Sequence, residues 1–275
     1  MFRLATGILL VSVTCGGAAA ALAGAADELA SHRAVYDLTL DPSVDSGDIG
    51  DVSGRVVTEF SGSSCAGYKA TMRFVMAIEN EDGDKQITDT RTVSFEDSAG
   101  TALDFSNQTY VDDKLTADSS GKAKRTGKGV TVSLVKPAVK KVDFSPSVIF
   151  PTQQIEQILA AARDGRSFVD ASIYDGTDDG QKAFATAAVI GREIKDGDDG
   201  DAAVNSALAG MRHWPVTVSY FDSPDPGEET PAQIMSFVLY ENGVQTNLKI
   251  NYGTFSVTLR MTKLDMLPAA PCKKP

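Results

Sequence analysis

Several kinds of reactive and charged side chain are scarce in this chain of 275 residues. It has 2 histidines, 3 cysteines and 1 tryptophan, and its 26 Lys and Arg residues are outnumbered by 37 Asp and Glu. The resulting net charge of −11 argues against binding to nucleic acids or anionic membranes, because both need basic patches. Two histidines and so few cysteines also argue against a zinc site. We therefore expect no nucleic-acid partner, no metal and no cofactor.

Motifs of known catalytic sites are also absent from the sequence. There is no G-x-S-x-G elbow, and the nearest stretch, Gly62–Gly67, has the wrong spacing for one. Only His32 and His213 could act as general bases, and no C-x-x-C motif points to a catalytic thiol. The acidic loops Asp175–Gly180 and Asp196–Asp201 do not match the calcium-loop pattern. The sequence therefore predicts no catalytic, cofactor-binding or metal-binding residue.

The first 26 residues are typical of a secretory signal peptide. Arg3 supplies the positive charge, Gly7–Val13 is apolar, and Ala23–Ala25 is a small-residue cleavage site. The apolar stretch is too short to predict a membrane span. Cys15 raises the alternative of a lipid anchor, but Ser12–Thr14 lacks the residues of a lipid-attachment box. We expect cleavage before a soluble chain of residues 27–275, whose charge is −12 once Arg3 is lost, and export to the periplasm.

The chain is organised around the stretch Val56–Met72, which predicts a hairpin with Cys65 in its turn. Cys65 could pair with Cys15 or Cys272. Cys15 is expected to leave with the signal, so Cys272 is the remaining candidate. An even pair of cysteines after cleavage is typical of an oxidising compartment.

Alternating apolar residues predict about a dozen strands and little else. The predicted strands are 31–40, 54–60, 68–79, 85–95, 101–111, 130–135, 139–144, 168–174, 183–194, 214–220, 234–240, 244–252 and 255–261. One helix is predicted over Pro151–Arg163, and Asn242–Gly243 predicts a type I′ hairpin turn. The segment Ala202–Leu208 fits either a helical turn or a loop.

Because no linker divides the pattern, we predict one mostly β domain over residues 27–275. It would be a single large curled antiparallel sheet, a β-spiral or open barrel, wrapped round the helix.

A curved sheet around one helix can leave an apolar groove between them. The candidates for its wall are aromatic and methionine side chains on the predicted strands: Tyr36, Phe74, Met76, Trp214, Tyr220 and Tyr252. The same spacing is typical of core residues, and for Trp214 the core is the more common location. Spacing alone therefore leaves core and groove wall as alternatives.

Several runs of the chain are together similar to one family. They are SHRAVYDLTL, the Val56–Met72 hairpin with its cysteine, FPTQQIEQIL, HWPVTVSYFD, SFVLYENGVQTNLKINYG and the cysteine near the C-terminus. In combination they resemble the cell envelope integrity protein B family, long filed as a domain of unknown function, from about Ser31 to Cys272. The resemblance implies a periplasmic protein of Gram-negative bacteria with a β-spiral fold and a Cys65–Cys272 disulfide. It brings no catalytic residues.

Two functions from different classes remain after these inferences. The first is a non-enzymatic periplasmic protein that supports envelope integrity by binding an envelope protein, a peptide or a lipid. The second is a hydrolase or other enzyme that acts on envelope polymers. An imidazole of His32 or His213 bonded to a carboxylate and facing a serine would favour the enzyme.

Overall fold

The computed structural model describes residues 28–194, 207–222 and 230–272. Within these ranges the chain forms fifteen strands and one helix. The strands before the helix are β1 (His32–Leu40), β2 (Ile49–Ser63), β3 (Gly67–Asn80), β4 (Lys85–Glu96), β5 (Ala102–Val111), β6 (Lys114–Thr126), β7 (Gly129–Lys136), β8 (Lys140–Phe144) and β9 (Val148–Ile149). After helix α1 (Pro151–Arg163) come β10 (Phe168–Ile173), β11 (Phe184–Ile190), β12 (His213–Phe221), β13 (Gln233–Tyr240), β14 (Gln245–Asn251) and β15 (Ser256–Met266). The predicted mostly β fold is confirmed.

All the strands belong to one sheet, in the order β8-β7-β6-β5-β4-β3-β2-β1-β15-β14-β13-β12-β11-β10-β9. Strands β1 and β15 join the two halves of the chain at the centre of the sheet. Every pairing is antiparallel except β9–β10, which is parallel because α1 connects those two strands. The end strands β8 and β9 follow each other in the chain, so the sheet curls back into a nearly closed barrel.

Helix α1 has the predicted bounds, and its ends explain them. Pro151 is tolerated in the first turn, where its missing N–H would have no helical partner. After the helix, the Gly165 N–H donates to the Ala162 carbonyl and the Arg166 N–H to the Ala161 carbonyl. This arrangement closes the helix and needs the positive φ of 72° at Gly165. The prediction of one helix over these residues is confirmed.

Strand β6 was not predicted, because its inward residues are small or polar where a strand signal requires apolar ones. Ser119 and Ala123 are fully buried on that face. Ser119 Oγ and Asn107 Nδ2 donate to the Gly176 carbonyl at 2.8 and 2.7 Å. The loop after β10 therefore enters the barrel and packs on β5 and β6, which leaves no room for larger side chains. The two-residue strand β9 also has no pattern of its own.

The tight turn predicted at Asn242–Gly243 has a different form. Of its two central residues, Gly243 has a positive φ of 88° and Asn242 does not. The loop is three residues long, with the Tyr240 N–H bonded to the Val244 carbonyl at 2.9 Å. The two consecutive positive φ angles of a type I′ turn occur instead at Asp112 and Asp113, between β5 and β6.

Cys65 and Cys272 lie at disulfide distance, with Cα atoms 5.5 Å apart. The C-terminal tail reaches the β2–β3 turn along a defined path. Its Leu267 N–H donates to the Ser31 carbonyl at 2.8 Å, and its Ala270 N–H donates to the Gly62 carbonyl at 3.0 Å. The predicted signal peptide, the loop Asp196–Asp201 and residues 202–206 of the undecided segment lie outside the described residues.

Candidate functional site

A half-enclosed cavity of about 440 Å³ lies between the inner face of the sheet and the start of α1. The inward rows of β2, β3 and β4 form one wall, because alternate residues of a strand point to the same face. Cross-strand neighbours in this wall include Val56 with Phe74 and Thr58 with Met72. Residues of β13, β14 and β15, among them Met235, Leu248 and Leu259, form the opposite side. The first turn of α1 contributes Pro151, Thr152, Gln154 and Ile155.

Three of the six predicted wall residues line this cavity: Tyr36, Phe74 and Tyr220. Tyr36 is also tied to the opposite strand, since its hydroxyl donates to the Gln245 carbonyl at 2.8 Å. Burial, together with the neighbouring Asp175 carboxyl, raises the pKa of Tyr220 to about 12. Tyr220 is therefore a neutral phenol in the cavity wall at neutral pH.

The other three predicted wall residues pack elsewhere. Trp214 is 2% exposed and lies in the cluster that Ile158 and Leu159 of the helix form with β12 and β13. Met76 and Tyr252 pack against the separate core of β1, β2, β14 and β15. The cavity is thus bounded by the helix core on one side and by this second core on the other.

Glu96, at the end of β4, is the most enclosed charged side chain in the cavity wall. It is 4% exposed, and its Oε1 accepts hydrogen bonds from the Thr152 N–H and hydroxyl, both at 2.8 Å. The carboxyl therefore caps α1 from a neighbouring strand, where the Phe150 side chain cannot. Burial outweighs these hydrogen bonds and raises the pKa of Glu96 to about 7.

Asp175 brings a second carboxyl group to the cavity. It follows Tyr174, whose N–H donates to the Ile149 carbonyl just before α1. Its Oδ1 accepts hydrogen bonds from the Thr177 N–H and hydroxyl at 2.9 and 2.7 Å. Burial raises the pKa of Asp175 despite these bonds. From the sequence this loop is predicted to be an ordinary acidic turn, and neither Asp175 nor Glu96 has a local pattern that marks it as a site residue.

Neither histidine has the partners of a catalytic base. His32 lines the cavity, but its Nδ1 lies 2.8 Å from the Ala30 carbonyl, and burial lowers its pKa. His213 Nδ1 lies 2.9 Å from the Met211 carbonyl, and its ring stacks on that of Tyr240. Across residues 28–194, 207–222 and 230–272, neither imidazole is bonded to a carboxylate, as a Ser-His-Asp arrangement would require.

No group of three or more His, Cys, Asp or Glu side chains in the described ranges could hold a metal ion. Helix α1, the one helix in these ranges, is not long and apolar enough to cross a membrane.

Glu96 makes stability depend on pH in a defined direction. Its folded pKa of about 7 exceeds the ordinary value of 4.5, so the folded state binds its proton more tightly than the unfolded state. The contribution of Glu96 to the free energy of unfolding is fully present below about pH 4.5. It falls by about 3 kcal/mol as the pH rises through 7. Glu96→Gln removes the titration, and its amide oxygen can still accept from Thr152. We expect this variant to lose less stability between about pH 5 and pH 8 in urea denaturation.

The matched control for this experiment is Glu81→Gln, which changes an exposed carboxyl in the turn after β3. It should keep the pH dependence of the wild type. Equal pH dependence in Glu96→Gln and the wild type would show that Glu96 does not titrate as a buried acid.

Comparison with known proteins places the chain in a family. The model of the EipB-like family matches residues 23–268. The chain is 35% identical over 256 residues to cell envelope integrity protein EipB of Brucella abortus (strain 2308), covering 93% of this chain and 91% of that protein. It is also similar to a crystal structure of a beta-barrel-like protein of a domain of unknown function from Brucella abortus. That match has a TM-score of 0.80 and 34% identity, and covers 87% of this chain and 99% of the other. The chain therefore belongs to the EipB-like family.

Proposed function

We propose that this protein is a periplasmic, non-enzymatic protein that supports envelope integrity by binding an apolar partner in its cavity. The name of the 35% identical relative supports the envelope role. The signal-like residues 1–26 and the Cys65–Cys272 pair support an oxidising, exported location. The one domain would then comprise residues 27–275.

The cavity is the main structural support for binding of a partner. Protein interiors are close-packed, and voids larger than a water molecule are few. A space of about 440 Å³ falls within the range of small-molecule sites, which are concave and mostly apolar. Met72, Phe74, Ile155, Met235 and Leu248 give this wall its apolar character. A bound apolar group would restore the contacts that the wall side chains lack.

The sheet edges support partner binding less well than the cavity does. The end strand β9 has only two residues, and the end strand β8 begins with the exposed Lys140 and Lys141. Short strands and lysines are the features that discourage strand addition at a sheet edge. A partner in the cavity is therefore favoured over a protein or peptide paired along the edge.

The non-enzymatic part of the proposal depends on the histidines. Each Nδ1 faces a backbone carbonyl, so neither ring is oriented by a carboxylate. The family to which the chain belongs carries an envelope-integrity name and not that of an enzyme. Hydrolysis of an envelope polymer remains the alternative, and turnover of such a polymer by the purified protein would favour it.

Native mass spectrometry of protein released from the periplasm tests this proposal. We expect a chain that begins near Ala26 or Asp27 and carries a bound amphiphile. Ala70 borders the cavity on β3, so the ring of Ala70→Phe should occupy the space and reduce the ligand-bound fraction several-fold. Ala77→Phe is the matched control, because Ala77 lies on the opposite face of β3, beside the exposed Ser53 and Ile87.

The proposal fails if the wild type carries no ligand and also takes up no added alkyl amphiphile. It also fails if Ala70→Phe and Ala77→Phe retain ligand equally. A diacylglyceryl mass on Cys15 would contradict the soluble, cleaved form.

A further inference from the structure

The charges in the cavity wall have one sign. The two buried or half-buried carboxyl groups among its lining residues are those of Glu96 and Asp175, and none of the described residues that line it is a lysine or an arginine. The one imidazole, His32, has a pKa lowered by burial and is neutral at neutral pH. Above about pH 7, where Glu96 is ionised, the wall therefore offers negative charge and hydrogen-bond acceptors, with no cation to receive an anionic headgroup.

Glu96 has an unused acceptor in addition to its helix cap. Its Oε1 takes both hydrogen bonds from Thr152, while its Oε2 is shielded from solvent and has no hydrogen-bond partner among the described residues. Buried polar atoms are rarely left unpaired, because each unpaired atom loses its bonds to water without replacement. Rotation of the Glu96 carboxyl toward the cavity would let a ligand that donates hydrogen bonds supply the missing partner.

The positive end of α1 is already occupied by the protein itself. The N–H groups at a helix start can hold an anion, but here Thr152 donates to Glu96 and the Phe150 N–H donates to Gln153 Oε1 at 3.2 Å. An anionic headgroup would have to displace Glu96 in a cavity that Asp175 also lines. The helix start therefore adds to the selection against anions.

We propose that the ligand is an amphiphile with a protonated amine headgroup, whose ammonium group lies at Glu96 and Asp175 and whose alkyl tail lies along the apolar wall. This inference rests on the proposed function, since it specifies what the cavity binds. An ammonium group has three donors and one positive charge, which match a carboxylate with an unpaired oxygen. At the ~30 Å³ of a water molecule in the liquid, the cavity holds roughly 15 heavy atoms, enough for a medium alkyl chain.

The wall favours a lipid-like tail over a peptide. A peptide backbone brings an amide at every residue, and each buried amide needs a partner. The backbone groups of the wall strands are largely used in the sheet, where β2–β3 and β3–β4 pair over most of their length. An alkyl chain makes no such demand on the wall.

Three ligands of equal chain length test the headgroup: octylammonium, octanol and octanoate. Their affinities are measured by calorimetry on the mature protein at about pH 8, where an alkylamine is protonated as a lysine side chain is. We expect octylammonium to bind about tenfold more tightly than octanol, and octanoate to bind most weakly. Equal affinities, or tightest binding by octanoate, would overturn the amine proposal while leaving the proposed function standing. Binding of none of the three would instead refute the proposed function.

Two variants assign the preference to the named carboxyls. Glu96→Gln should bring the octylammonium-to-octanol affinity ratio close to one. Asp175→Asn should lower this affinity ratio in part, and it provides the test if Glu96→Gln does not fold. Glu81→Gln, an exposed change outside the cavity, should keep the ratio of the wild type. A ratio unchanged in both cavity variants would contradict the proposal, as would tighter binding of a short apolar peptide than of octylammonium.

Discussion

Removal of the Cys65–Cys272 bond is expected to lower the free energy of unfolding by about 5 kcal/mol. The two residues are 207 positions apart, so the bond closes most of the chain into one loop. In the chain-entropy model the stabilisation grows with the logarithm of loop length and reaches about 5 kcal/mol for a loop of this size. The effect acts on the unfolded chain, which gains conformations when the bond is absent.

The surroundings of the two cysteines in the folded state do not suggest a loss of stability much larger or smaller than this value. Both cysteines are exposed, so a serine at either position leaves no buried polar group. The tail that carries Cys272 is also held by hydrogen bonds from Leu267 to Ser31 and from Ala270 to Gly62. The native position of the tail therefore does not depend on the bond alone.

Urea denaturation of Cys65→Ser, Cys272→Ser and the double variant measures this effect. All three should lose similar stability, because each removes the same bond, and reductant should affect only the wild type. Ala66→Ser, an exposed change in the same turn, is the matched control and should keep wild-type stability. Additive losses in the double variant would show that the two cysteines are not partners.

The second large effect is expected for Ile158→Ala, which should cost about 2–5 kcal/mol. Ile158 is 0% exposed and lies in the cluster where α1 packs on Trp214, Val216 and Leu239. Truncation removes a buried side chain and leaves a cavity that these neighbours can close only in part. Alanine is the better helix former, so the loss reflects packing and not helix propensity.

Gln157→Ala provides the matched control on the preceding residue of the same helix. Gln157 is exposed, so its truncation should change stability by no more than about 0.5 kcal/mol. Thermal or urea unfolding of both variants gives the comparison. An unchanged midpoint for Ile158→Ala would show that α1 contributes little to the core.

The elements predicted well from the sequence are those whose signals are local. Helix α1 has its spacing, its proline and its terminal glycine within 15 residues, Pro151 to Gly165, and its predicted bounds agree with the structure. The strands β12 and β14 alternate because one face of each is more buried than the other, whereas the end of β13, Phe237–Tyr240, is packed on both faces. The apolar interior face of the barrel follows from the same alternation.

The elements that were missed depend on distant parts of the chain. Ser119 of β6 is buried because the loop carrying Gly176 folds into the barrel above it, and nothing near Ser119 in the sequence indicates this. The three-residue form of the hairpin loop after Tyr240 likewise differs from the form predicted from Asn242–Gly243. A prediction from a local motif therefore fails where a partner strand or an inserted loop determines the backbone conformation.

The candidate site shows the same division. Tyr36, Phe74 and Tyr220 could be named from alternation, but so could Trp214, which the structure places in the helix core. Alternation tells which face of a strand a residue occupies. It does not tell whether that face meets the helix, another strand or an open space.

The fold class, the helix and the family can all be predicted from the sequence alone, because these depend on periodicity and on motifs within short stretches. The cavity in the barrel interior, and the presence of Glu96 and Asp175 in its lining, follow instead from how distant strands and the helix pack. Glu96 lies 56 positions from Thr152 and meets it only because β4 and the start of α1 converge. Burial at that convergence sets the charge of the site, and burial is a property of the packed chain.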